Sequence, residues 1–241
     1  MILTFTDFGS GGPYLGQMRL GIERHAPGTP VVDLMSDLAP RDPRAAAYLL
    51  AALSPEIPPG SVLLGVVDPG VGTDSRAPVV MRAADRWYVG PGNGLFSVVA
   101  QQHPPTQVWR ITWRPSRLSA SFHGRDLFAP VAAMLARGDE VPGDPVDAVS
   151  VGPQDWPDDL AEIIYLDEFG NAMVGVRAGT VNAGRTIEAR GQRIAPARTF
   201  GEVAPGEPFW YANACGLVEI AVNRGSARES LGLSVGDRVT V

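Results

Sequence analysis

The stretch Val62-Leu63-Leu64-Gly65-Val66-Val67-Asp68-Pro69-Gly70 restricts the fold more than any other. Its first part is a short, uninterrupted apolar run rich in β-branched residues. That pattern suits a strand buried on both faces, as in a parallel sheet. The run stops at Asp68, where Pro69-Gly70 imposes a turn. Ligands of open α/β sheets sit beyond the carboxyl ends of the strands. Asp68 is therefore either an ordinary turn aspartate or a residue standing where such a sheet keeps its chemistry.

The chain has 241 residues, enough for a large core and for one or two domains. Hydrophobic residues at 45% and charged residues at 19% are those of an ordinary globular protein. A net charge of -6 without a Lys/Arg cluster speaks against nucleic acid as a partner. The single cysteine, Cys215, has no internal partner for a disulfide, which fits a reducing cytoplasm and closes the metal-finger and thiol-relay options. No apolar run is long enough to span a membrane, and Met1-Ile2-Leu3 opens a strand rather than a charged leader. A cytoplasmic protein with no membrane partner is expected.

Ile2-Leu3-Thr4-Phe5 reads as the first strand, ending at Thr6-Asp7-Phe8-Gly9 and a Ser10-Gly11-Gly12 loop. Pro13 then suits the first turn of a helix to about His25. Strand, glycine loop and helix is a general phosphate-binding arrangement. The dinucleotide fingerprint is absent, since Tyr14 stands where its third glycine falls, and there is no Walker lysine. Val31 to Leu34 is a second strand. Asp42 and Pro43 have the chemistry of an N-cap and a first helical position for an Ala/Leu-rich helix, Arg44 to Leu53. Further strands are expected at Val62–Val67, Pro78–Met81, Trp87–Val89 and Val108–Ile111. A tight turn is expected at Pro91-Gly92-Asn93-Gly94 and a short helix over Leu95–Gln101. Ser119 to Asp126 leads into an amphipathic helix through Phe128, Val131 and Met134, with His123 just before its start.

From Gly138 to Asp159 the chain is polar, acidic and punctuated by proline and glycine, and reads as a linker. Short strands with turns follow at Ile163–Leu166, Met173–Val176, Thr186–Ala189, Phe209–Tyr211, Leu217–Val222 and Arg238–Val241. The expected fold is α/β: an N-terminal α/β domain over 1–150 with a largely parallel central sheet, then a small C-terminal β-barrel domain over 160–241.

Taken together, the ordered set Thr6-Asp7-Phe8-Gly9, Val67-Asp68-Pro69-Gly70-Val71-Gly72-Thr73, Arg76, Pro91-Gly92-Asn93-Gly94, Phe122-His123-Gly124-Arg125-Asp126 and Asp167-Glu168-Phe169-Gly170-Asn171 resembles the S-adenosyl-L-methionine hydrolases that form adenosine. Their fold is shared with fluorinase and chlorinase. The resemblance runs from Ile2 to Val241. It implies Asp68, Arg76 and His123 as the catalytic group beside the ribose C5′. It implies substrate contacts from Asp7 to the ribose hydroxyls, with Phe8 and Gly124 in the adjoining motifs. Asp167 and Asn171 are implied at the amino-acid and adenine ends, with Phe169 and Asn223 as further substrate-binding residues. It further implies a homotrimer whose sites lie between the first domain of one subunit and the second domain of the next. S-adenosyl-L-methionine is then the substrate, adenosine and L-methionine are the products, and no cofactor or metal is expected. Departures from the family pattern are Val174 and Gly175 for a Thr-Asn pair, Ala214 and Cys215 for a Ser-Ser pair, and Ser36 for a histidine. None of them touches Asp68, Arg76 or His123.

The chemistry agrees with that implication. A sulfonium lets methionine leave without a proton, so the difficulty is the nucleophile: bulk water has a pKa of about 15.7. A guanidinium at Arg76 favours hydroxide, Asp68 can orient water and accept its proton, and His123 can relay it. Three other readings compete. In the halogenases a tyrosine replaces the aspartate found here at Asp68, and fluorinase has a serine at the place of Gly124. A carboxylate at Asp68 would repel a halide in a dry pocket. A non-catalytic binder of S-adenosyl-L-methionine or adenosine has no need of a water-activating trio. A divalent-metal site would have to use Asp7, Asp68, His123 and Asp126.

Overall fold

The computed structural model describes residues 1–241, which divide into two compact units, Met1–Leu50 with Ser54–Trp156, and Ala51–Leu53 with Pro157–Val241. No helix is long and apolar enough to cross a membrane.

The first unit is built on a seven-stranded mixed sheet. Its elements in chain order are β1 (Ile2–Thr6), α1 (Tyr14–His25), β2 (Val31–Met35), α2 (Pro43–Leu53), β3 (Val62–Val66), β4 (Pro78–Ala83), β5 (Arg86–Pro91), α3 (Ser97–Gln102), β6 (Gln107–Ile111), α4 (Ala129–Arg137) and β7 (Gly143–Val146). The sheet order is β2-β1-β3-β5-β4-β6-β7. The pairs β1–β2, β1–β3 and β3–β5 are parallel; β4–β5, β4–β6 and β6–β7 are antiparallel. The apolar run at β3 is fully buried, as a strand between two parallel neighbours must be. The reversal in sheet direction comes from the β4–β5 hairpin, turned by Ala84 and Asp85 at φ 47° and 56°, the double positive-φ conformation that matches strand twist. Met18 and Ile22 of α1 and Phe128, Val131 and Leu135 around α4 join Ile2, Val62 and Leu64 in one core. Asp42 caps α2 as its sequence demands, its side chain accepting from Ala45 N at 2.9 Å, with Pro43 opening the helix.

The polar stretch 138–159 is more than a linker. It carries β7, which pairs with β6 from Val108↔Val146 to Ile111↔Gly143, and a 3-10 turn at Ala148–Val151 whose Val151 O accepts from Gly94 N at 2.8 Å. Pro145 is tolerated because β7 is the sheet's edge, where a missing N–H faces no neighbour. For the same reason its composition looks like a loop.

The second unit holds β8 (Leu160–Leu166), β9 (Ala172–Arg177), β10 (Ile187–Ala189), β11 (Gln192–Pro196), β12 (Pro208–Ala212), β13 (Leu217–Val222), α5 (Ala227–Ser230) and β14 (Val239–Thr240). Its sheet runs β14-β10-β11-β12-β13-β9-β8. The two ends meet in a bridge between Glu162 and Arg238, and Ile163 N donates to Asp237 O at 2.9 Å, so the sheet is nearly closed into a barrel. Ile163, Val174, Ile194, Trp210, Ile220 and Val239 are among the residues that fill it. The sequence reading passes over β11, because Gln192 and Arg193 hide a strand that turns only Ile194 fully inward.

Candidate active site

The site in the first unit follows from the sheet. β1 and β3 are parallel neighbours in register from Ile2↔Val62 to Thr6↔Val66. Asp7 and Asp68 therefore leave the same carboxyl edge side by side, where an open sheet binds its ligands. Asn93, in the Pro-Gly-Asn-Gly turn after β5, donates its side-chain amide to Val67 O at 2.8 Å and fixes the residue before Asp68.

The loop after Asp68 brings Arg76 back onto it. Arg76 Nε donates to Asp68 Oδ1 at 3.1 Å, and its Nη2 bonds Asp68 Oδ2 in the same two-point pair. Both side chains are only 4% exposed. The other face of the guanidinium lies 5.4 Å from the Phe128 ring centroid. Arg76 Nη2 also reaches His123 Nδ1 at 3.1 Å. The loop carrying Asp68 packs backbone to backbone on the loop carrying His123 at Gly72. With φ at +77°, a Cβ there would lie 2.2 Å from Ala120 O, so glycine alone fits.

His123 is held below the ordinary histidine range, first by burial and then by the positive charge of Arg76, with Asp68 opposing. Burial raises the Asp7 carboxyl; the backbone N–H of Arg41, which donates to Asp7 Oδ2 at 2.9 Å, opposes this, and the charge on Asp68 adds to it. Asp7, Asp68, Phe8, His123 and Gly124, with Arg41, Ser121 and Phe122, line a half-open cavity of about 80 Å³. That is space for a few waters. The structure thus brings Asp7, Phe8, Asp68, Arg76, His123 and Gly124 together. Asp126 is engaged elsewhere, taking Arg125 on both oxygens and Ser119 N, so the four-residue metal set considered from sequence does not converge.

Asp167, Phe169 and Asn171 gather in the second unit, on an open concavity shared with Phe200, Tyr211, Glu219 and Arg224. Asn171 donates its backbone N to Asp167 Oδ1 at 2.8 Å and its side-chain amide to Oδ2 at 2.9 Å. Phe169, 80% exposed, lies open to solvent on this lining. Glu219, 3% exposed, accepts from Asn213 Nδ2 at 2.7 Å and from the Tyr211 hydroxyl. Asn223 stands apart from this lining; its amide donates to Val203 O at 2.6 Å and fastens a turn. The residues that sequence reasoning missed are Arg41, which acts through its backbone, and Phe200, Tyr211, Glu219 and Arg224. Arg41 left one signal, its place between Pro40 and a helix cap; the others sit in segments without a motif.

An α/β unit that keeps an Asp–Arg–His cluster at its strand ends, followed in the chain by a nearly closed barrel, defines the class of protein. Residues 2–143 match the SAM hydroxide adenosyltransferase N-terminal domain and residues 161–240 the C-terminal domain of the same description, and the chain belongs to this family. It is 41% identical to the (R)-S-adenosyl-L-methionine hydrolase of Thermus thermophilus, over 96% of this chain and 95% of that one. It is 34% identical to the protein of the same name from Salinispora tropica, over 98% and 95%. Among solved structures, an uncharacterized conserved protein from Thermotoga maritima superposes with a TM-score of 0.88 at 31% identity, covering 99% of this chain and 98% of that one.

Proposed function

We infer that this chain is an enzyme that hydrolyses S-adenosyl-L-methionine to adenosine and L-methionine, by attack of a water-derived oxygen on the ribose C5′. The observation that carries the reading is the water-sized cavity walled by Asp68 and His123, with the guanidinium of Arg76 bonded to both. One water seated there hydrogen-bonds a free lone pair of Asp68, and the guanidinium stabilises the negative charge that grows on its oxygen. As the C5′–O bond forms, the C5′–S bond breaks, and the electron pair stays on sulfur as a neutral thioether. The water's proton passes to Asp68 and then to solvent. Asp7, Phe8 and Gly124 hold the ribose. Asp167, Phe169 and Asn171 take the amino-acid and adenine ends, with Asn223 supporting the turn beside them. Alignment of water, C5′ and sulfur contributes up to about 7–11 kcal/mol to lowering the barrier. The reaction calls for no cofactor, because the sulfonium is already a leaving group.

The chain works as a homotrimer in the cytoplasm, with adenosine and methionine as its only other ligands. Support for assembly is the size of the cavity, which holds waters and not a nucleoside. Support for the compartment is a chain with one cysteine, Cys215, and so no internal disulfide. The test is incubation with S-adenosyl-L-methionine in halide-free, oxygen-18-enriched water. Adenosine labelled at its 5′ hydroxyl and free methionine are the expected products. A 5′-halo-adenosine as main product in added chloride or fluoride, or S-adenosyl-homocysteine, would overturn the reading.

A further inference from the structure

The segment that carries His123 is tied down by a cluster that touches none of the reacting atoms. Gly124–Phe128 is a π-turn, not the α-helix its sequence pattern implies; such turns re-aim side chains by inserting a residue into the helical ladder. Asp126, on this turn, reaches back so that its Oδ2 accepts from Ser119 N at 2.8 Å, which closes the loop around His123. Arg125 binds Asp126 with two donors, Nε to Oδ1 at 2.6 Å and Nη2 to Oδ2 at 2.8 Å. Its remaining arm, Nη1, donates to Gln17 Oε1 on α1 at 2.8 Å.

The same guanidinium lies 5.1 Å from the centroid of Phe122, whose ring meets Phe8 edge-on at 5.7 Å. Phe8 follows Asp7 in the chain. One arginine therefore bears on both walls of the water-sized cavity, through Phe8 on one side and the His123 loop on the other. The backbone is docked as closely as the side chain: a Cβ on Gly21 of α1 would come within 2.9 Å of Arg125 O, so α1 accepts the π-turn only with glycine there. The pair is three-quarters or more buried, Arg125 at 22% and Asp126 at 13% side-chain exposure, and its geometry is the two-point fork that lysine cannot reproduce.

We propose that Arg125, held by Asp126 and Gln17, is a positioning residue that fixes His123 against Arg76 and sets the width of the water cavity. The proposal rests on His123 belonging to the catalytic group. Its test uses a readout that needs no turnover: long-range ¹H–¹⁵N spectra of the histidine rings in the full-length protein. In the native protein His123 is expected as a single tautomer, protonated at Nε2. In Arg125→Gln and in the milder Gln17→Ala the expected result is a mixture of tautomers. Displacement of a reacting group by about 1 Å costs roughly 100-fold in rate; kcat of Arg125→Gln is expected to fall by about that factor, with KM moving less than about threefold. Asp126→Glu, which keeps the counter-charge, should recover more of kcat than Asp126→Ala. If Arg125→Gln and Gln17→Ala lower the melting temperature but keep one His123 tautomer and the native kcat, the cluster is structural only and the proposal falls. If His123→Gln itself leaves kcat untouched, the catalytic reading fails, while the tautomer spectra still decide whether Arg125 positions His123.

Discussion

Arg76 Nη2 stands 3.1 Å from His123 Nδ1, and this contact decides which proton the imidazole carries. A guanidinium only donates, so Nδ1 accepts and the neutral ring bears its hydrogen on Nε2. Protonating Nδ1 would set two N–H donors against each other beside a fixed positive charge. In the proposed reaction His123 is then a neutral group that presents its Nε2–H, and any proton it relays does not pass through Nδ1 while Arg76 is in place.

The pH dependence follows. Burial and then Arg76 hold His123 below its usual value of 6.5. The needed form is the neutral one, present above the lowered pKa and lost as pH falls through it. Stability has the same sign, since the unfolded chain takes up that proton first. The acid limb of kcat is expected below pH 6.5 and should vanish in His123→Gln but persist in Asp7→Asn. A limb centred at or above the ordinary histidine value would contradict the assignment.

Asp68 and Asp7 leave the same sheet edge, and the proposed reaction gives them different work. On the proposed reading Asp7 holds the ribose hydroxyls, which change little during substitution at C5′, so its loss should chiefly raise KM. On the same reading Asp68 acts on the water, whose charge changes only as reaction proceeds. Asp68→Asn should lower kcat by roughly 10²–10⁴-fold while calorimetry shows near-native binding of S-adenosyl-L-methionine. Weak binding with normal turnover at saturation would reassign Asp68; normal binding with lost turnover in Asp7→Asn would exchange the two roles.

Much of this was legible because it lies where sequence periodicity and turn chemistry agree. The β3 run, the Asp42-Pro43 cap and the aspartates after β1 and β3 each combine an apolar pattern with a stop signal. β7 escaped because an edge strand needs neither apolar alternation nor every N–H. The π-turn escaped because its side chains keep helical spacing while the backbone gains a residue. Arg41 reaches Asp7 through its backbone N–H, a contact independent of its side chain, and the aromatic wall of the second unit joins Phe169, Phe200 and Tyr211 from three separate segments.

Assembly is open to direct measurement. Sedimentation equilibrium at micromolar concentration should return three times the 25.5 kDa chain mass. A monomer that keeps full activity on dilution would refute the trimer.

The last prediction concerns the cost of the Asp68–Arg76 pair itself. Both side chains are 4% exposed, so removing one leaves a buried charge without its partner, a loss of about 3–5 kcal/mol. Arg76→Ala strands the Asp68 carboxylate and also removes the donor to His123 Nδ1. For a chain of this size the melting temperature should fall by about 2–4 °C for each kcal/mol lost. Asp68→Asn combined with Arg76→Met removes both charges and keeps the volume, and a buried pair replaced by groups of similar shape is often neutral in stability. The double variant should therefore melt well above Arg76→Ala while remaining inactive. If Arg76→Ala melts with the native protein, the pair is not desolvated as the geometry has it. If the double variant is as unstable as the single one, the lost stability comes from the guanidinium's contacts with Phe128 and His123 and not from the orphaned charge.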